Sequence, residues 1–103
     1  MRKLLGFAAV AALGSSGALA ATTNHFAGSE YLPQAKVTLT QARATAVAVR
    51  PGTITDQELE KERGGTCLRY SFDVKANGKT FEVGIDARTG KVLENKAEGP
   101  NPD

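Results

Sequence analysis

The chain has 103 residues, with 13 Lys and Arg against 11 Asp and Glu. This length suits one domain with a thin core. The lone cysteine, Cys67, excludes an internal disulfide. Charges of both signs are interspersed, which removes the electrostatic drive for binding nucleic acid or an anionic membrane.

Arg2 and Lys3 precede an apolar run over residues 4–13. Gly14 to Gly17 break that run, and Ala18-Leu19-Ala20 places small residues at the −3 and −1 positions of a cleavage site. This three-part pattern predicts a secretory signal peptide over residues 1–20, cut between Ala20 and Ala21. A spanning helix needs about 20 apolar residues, so no stable membrane anchor is expected after cleavage. Removal of Arg2 and Lys3 leaves 11 basic against 11 acidic residues, a neutral mature chain.

Residues 21–35 are aperiodic and mostly small or polar, and read as a flexible leader. The folded unit is expected over residues 36–98, with a flexible tail over 99–103. Thr38 and Gln41 form a T-x-x-Q capping box that opens a helix. Leu39, Ala42, Ala46 and Val49 make one helical stripe, and Pro51-Gly52 ends it. Arg43 and Arg50 are expected to stay solvated.

Leu68, Tyr70, Phe72 and Val74 alternate with polar residues, as do Phe81, Val83 and Ile85. Period two predicts half-buried strands, and Asn77-Gly78 between them predicts a two-residue hairpin loop. That loop pairs Val74 with Phe81, Phe72 with Val83 and Tyr70 with Ile85, all on one face. Gly64-Gly65, taken as a second two-residue loop, puts Leu59 opposite Tyr70 and Glu60 opposite Arg69. Asp86 falls opposite Arg69 from the other side. Arg69 is thus expected to bridge Glu60 and Asp86 in a charge row on the open face, at a worth of about 1 kcal/mol or less. Residues 55–63 fit a strand in this register, although Thr55 and Glu58 make a second capping box and leave a helix open locally. A last strand, residues 92–96, follows a turn at Gly90. The fold class is α+β: one N-terminal helix packed on a four-stranded antiparallel meander.

The stretches VTLTQARATAVAVRPG, ELE and LRYSFDVKANGKTFEVGIDARTGKVLE together resemble the PepSY domain family. The most telling pieces are the T-L-x-Q-A helix start, the aromatic-rich strand, and V-x-I-D-A-x-T-G-K over residues 83–91. The resemblance implies the fold above, and a domain found in propeptides of thermolysin-like metallopeptidases and in small exported proteins. It implies regulation or inhibition of peptidases, not catalysis.

The candidate chemistry is sparse. His25 and Cys67 are the only thiol-imidazole candidates, and His25 lies in the leader, so no catalytic residue is assigned. Cys67 falls opposite Glu62, which disfavours a thiolate. Glu58, Glu60 and Glu62 share one face of an edge strand, where oxygen ligands for calcium are one reading and protection of the edge another. Asp73 opposite Glu82 is a like-charge pair, with Lys75 or Lys79 placed to relieve it. No metal, cofactor or catalytic site is assigned.

The expected function is a non-catalytic exported protein-binding module, periplasmic or secreted, acting on peptidases. The alternative is a small-ligand or metal-binding accessory protein. The expected partner is a protein, with a metallopeptidase the class that the resemblance implies, and a homodimer is a further state. The outer edge Val92, Leu93, Glu94, Asn95 and Lys96 is the candidate contact strand, since it is less protected by charge than residues 58–63. A proline at Leu93 or Glu94 is expected to block pairing there and spare the core.

Overall fold

The helix forms where its cap dictates. In the computed structural model, which describes residues 25–99, the Thr38 hydroxyl accepts from the Gln41 N–H and the Gln41 side chain accepts from the Thr38 N–H. Both halves of the capping box are present, and α1 runs over Leu39–Val49. Leu39, Ala42 and Ala46 are buried, and the two small alanines let the helix backbone sit close to the sheet. Val49, the fourth member of the expected stripe, is exposed instead. It is the helix's last residue, where the chain turns away from the core toward the Arg50 cap. The signal-peptide segment and the Ala20–Ala21 junction lie outside the described residues.

Four strands follow in meander order: β1 (Thr53–Lys61), β2 (Leu68–Ala76), β3 (Lys79–Asp86) and β4 (Val92–Ala97). All pairings are antiparallel. The β2–β3 register matches the alternation read from sequence: Val74 with Phe81, Phe72 with Val83, Tyr70 with Ile85. Asn77 and Gly78 both have positive φ, 55° and 75°, as a type I′ hairpin turn requires. The β1–β2 register also stands, with Leu59 opposite Tyr70 and Glu60 opposite Arg69. The connecting loop is longer than two residues. It closes with the Glu62 N–H donating to the Cys67 carbonyl and the Cys67 N–H to the Gly64 carbonyl. Residues 55–63 are strand as far as Lys61, and β1 begins earlier, at Thr53, with a bulge between Ile54 and Asp56.

Buried apolar residues of every strand but β4 join the helix in one core: Leu59, Leu68, Tyr70, Phe72, Val74, Val83 and Ile85, with Ala87. Strand β4 meets the helix end through Asn95, which donates to the Val49 carbonyl at 3.2 Å and accepts from Arg50 Nε at 3.0 Å. Tyr70 is buried and its hydroxyl donates to the Val37 carbonyl at 2.6 Å, so its polar end is satisfied where the chain enters α1. Phe81 is only half-buried and lies beneath the Arg50 guanidinium, 3.9 Å from the ring centroid. Arg43 stays exposed, as expected, and donates to Gln57 on β1.

The flexible leader expected over residues 21–35 needs correction for 26–35. Ser29–Gln34 form a 3-10 helix, and Phe26, Tyr31, Leu32 and Ala35 pack against the core. Gly28, at φ 87°, brings this segment onto β1, where the Leu59 N–H donates to the Ala27 carbonyl at 2.9 Å. A Cβ on Gly28 would stand 1.7 Å from the Leu59 oxygen, so only glycine permits the approach. The apolar residues carry neither helical nor strand period, because they fill a gap beside a sheet edge instead of forming a face.

Candidate functional site

The helix covers one face of the sheet, and the other face carries the polar residues of all four strands. Its two ends differ. At one end the loop over residues 63–66 and Leu93 fold over the strands. A Cβ on Gly65 would fall 2.3 Å from Asp86 Oδ2 and 3.0 Å from Leu93, which measures how closely the loop is laid down.

Asp86 is the centre of that end, 1% exposed. Its carboxylate accepts from the Thr66 N–H at 2.7 Å, the Thr66 hydroxyl at 2.9 Å, the Arg88 N–H at 2.8 Å and the Thr89 N–H at 3.0 Å. Burial alone would push its pKa up. The bonds from Thr66, Arg88 and Thr89 outweigh burial and hold it at about 2. Arg88 closes the arrangement by donating to the Thr66 carbonyl at 2.7 Å. One carboxylate thereby fastens the β1–β2 loop to the β3–β4 turn.

Arg69 is also buried, at 6% exposure. Its Nη1 meets Glu94 Oε1 at 3.2 Å and Glu62 at 3.9 Å, and its Nη2 donates to the Arg63 carbonyl at 3.2 Å. Its Nε, buried as well, has no partner. Gly84 lies under the arginine stem, and a Cβ there would come within 3.1 Å of Nη1. The missing side chain lets Arg69 lie flat across β3 and reach β4.

The charge row Glu60, Arg69 and Asp86 is therefore right in register and wrong in contact. Glu60 accepts from the Ser71 hydroxyl at 2.7 Å, and Asp86 turns to the backbone of its own turn and of the loop. A long guanidinium over a glycine takes a diagonal partner. A carboxylate at the start of a turn is nearer to backbone N–H groups than to the next strand.

At the other end the face is bare. A trough of about 400 Å³ is lined by Asp56, Glu58, Glu60, Asp73, Glu82 and Glu98, with Lys96 at its border. Asp56, Asp73, Glu82 and Lys96 stand in one cross-strand row, three acids in succession before a cation. Burial raises the pKa of Glu82, and the neighbouring Glu94, Glu98 and Asp73 raise it further, while Lys96 opposes. Glu98 is raised by burial and by the charge of the neighbouring Asp73. The cation that relieves this row is Lys96, not Lys75 or Lys79.

The remaining candidates do not assemble. His25 and Cys67 are both exposed. Glu58 and Glu60 line the trough while Glu62 leans toward Arg69, and among the described residues no group of three His, Cys, Asp or Glu could hold a metal ion. A shallow apolar groove, about 560 Å³, runs between α1 and β1 past Leu39, Ala44, Val47 and Ile54. Among the described residues, no helix is long and apolar enough to cross a membrane. The bonds from Thr66 and Arg88 around Asp86 escaped the sequence reading. An aspartate two and three residues ahead of turn N–H groups was the available signal.

Residues 36–96 match the family model for the peptidase propeptide and YPEB domain, PepSY, which spans more than half of the chain. No curated protein and no solved structure gives a significant match.

Proposed function

The chain belongs to the PepSY family, and from that premise we propose that it is an exported, non-catalytic protein-binding module that regulates or inhibits peptidases of the periplasm or cell exterior. The observation that carries this reading is the division of labour across the sheet. One face is spent on the core, and the acidic half of the other is left uncovered with carboxylates held above their ordinary pKa. Crowded like charge of this kind is relieved by a partner that brings cations. The surface therefore suits a basic region of a protein, bound through complementary potential and weakened by salt.

The test is an activity assay of thermolysin-like metallopeptidases with purified mature protein, alongside calorimetric titration with the same enzymes. Inhibition or saturable binding, reduced by added salt and by Glu82→Lys, is the expected result. Activity unchanged at high concentration, together with heat of binding for calcium or another metal alone, would overturn it in favour of an accessory protein for small ligands.

A further inference from the structure

The two edges of the sheet are treated differently. The outer edge of β1 is met by the leader, through the Ala27–Glu58 bridge and the bond from Leu59 to Ala27. The outer edge of β4 has no neighbouring strand among the described residues. Its backbone phase follows from the ladder. The Glu98 N–H donates inward to the Thr80 carbonyl at 2.9 Å, and antiparallel ladders alternate. Lys96 and Glu94, paired with Glu82 and Gly84, thus point their N–H and C=O groups at β3. Asn95 and Ala97 point theirs outward.

We propose that this edge pairs with the β4 edge of a second copy of the chain, antiparallel about a two-fold axis at Asn95. This contact does not depend on the peptidase reading. With Asn95 opposite Asn95 of the other copy, the outward groups of both strands exchange hydrogen bonds. Glu94 then stands opposite Lys96 of the other copy, twice, on the open face. The backbone phase forbids a slip of one residue. The next permitted slips place Lys96 against Lys96, or Glu94 against Glu94, at the axis. A slip further toward the tail overlaps only the last few residues, and one further toward Val92 meets the irregularity between the Glu94 and Val92 pairs, where the regular ladder ends. Hydrogen-bond phase and charge therefore select one register, and the contact is self-complementary as two-fold symmetry demands.

Lys96 fits this role in its surroundings. Its side chain is 71% exposed and stands 3.4 Å from Glu94 Oε2 of its own strand, while Glu94 keeps its other oxygen on Arg69. A lysine on an edge strand normally discourages pairing. Here the same lysine rejects other registers and accepts this one. The axis lies normal to the sheet, so both helices fall on one side and the two acidic troughs become parts of one continuous surface.

The experiment is sedimentation equilibrium of the mature protein up to about 1 mM, where an edge contact of this small size should be populated. The expected result is a monomer–dimer equilibrium that weakens with salt, falls at least tenfold in Lys96→Glu, and vanishes in Asn95→Pro, which removes an outward N–H. It persists in Asn95→Ala, which loses the same side-chain bonds to Arg50 and the Val49 carbonyl as the proline but keeps the N–H. The proline belongs at Asn95 because, of the two positions chosen from sequence, Glu94 donates to β3 and Leu93 sits at the irregularity between the Val92 and Glu94 pairs. Circular dichroism and urea midpoints check that the variants remain folded. If Asn95→Pro unfolds, carbodiimide coupling of Glu94 to Lys96 between isotopically distinct wild-type copies reads the register directly. A wild-type monomer throughout, a dimer indifferent to Lys96→Glu, or a monomer whose edge takes an unrelated strand-forming peptide would each overturn the proposal.

Discussion

The two ends of the uncovered face share the same strands and the same alternation, yet one is sealed and the other open. At the sealed end, carboxylates meet donors: Asp86 has four, and Glu94 has Arg69. At the open end, carboxylates meet carboxylates, with Asp73 between Asp56 and Glu82. The difference teaches which charges hold the fold and which are kept for contact. Buried charges with full hydrogen bonding stabilise only as a set, and losing one partner strands the others. Crowded surface charges cost a little continuously and leave a potential that a partner can relieve.

The largest effect should come from breaking the sealed end at its centre. Asp86→Ala leaves the Thr66, Arg88 and Thr89 N–H groups without their acceptor, and should cost about 3–5 kcal/mol, since each buried donor left unsatisfied costs about 1–3 kcal/mol. Urea denaturation measures it. A loss below that of Asp73→Ala would show that the loop and turn do not depend on the carboxylate. Arg69→Ala comes next, at about 2–3 kcal/mol, because it strands the half-buried Glu94 and opens the space above Gly84. This exceeds the surface-pair value that the register alone suggested. It remains below the ~3–5 kcal/mol expected for truncating Tyr70 in the core, so the outward residue ranks below its inward neighbour.

Acid titration separates the two ends by sign. Asp86 has a depressed pKa, so its contribution is complete above the unfolded carboxylate value and is lost as pH falls toward about 2, at most about 2 kcal/mol in all. Glu82 and Glu98 have raised values, so the folded state takes up protons before the unfolded chain does. Acidification from neutrality through that window stabilises. The melting temperature should therefore rise as pH drops from 7, turn over near the ordinary carboxylate range, and then fall. In Glu82→Gln the rise shrinks while the acid fall persists. A monotonic fall from pH 7 would mean that the open end carries no strain.

The helix, the hairpin and both registers were legible because each rests on local rules: a capping box, a period of two, a turn with two left-handed residues. Two hairpins that agreed on one inward face constrained each other. What was hidden depended on reach and on approach. Nothing in Arg69's spacing says that it will cross Gly84 to Glu94, since that needs the sheet's twist and an absent side chain. The leader's packing rests on Gly28 and on Phe26, Tyr31 and Leu32, which touch β1 without any period of their own. The open-face site was half legible. The Asp73–Glu82 pair was visible in the pairing, and the register that sets Leu59 opposite Tyr70 also sets Asp56 opposite Asp73, whereas Glu98 and Lys96 joined the row only once the β4 register was fixed.

The smallest effect tests the open end for what it is. Asp73 sits in the row between Asp56 and Glu82 with Glu98 beside it, so it feels like charge from three sides. A stretch under selection for stability alone would not keep an acid there, because like charges directly opposite each other destabilise a sheet. Asp73→Asn keeps the shape and the hydrogen-bonding capacity and removes one charge. It should stabilise the monomer by about 0.5 kcal/mol at neutral pH and low salt, and the gain should fade as salt screens the row. Urea midpoints at low and high ionic strength read the difference. The same substitution should weaken capture of a basic partner. A variant both more stable and a poorer binder would mark the acidic half as a surface maintained for contact. A less stable variant would assign Asp73 a structural bond like those around Asp86, and the contrast between the two ends would collapse.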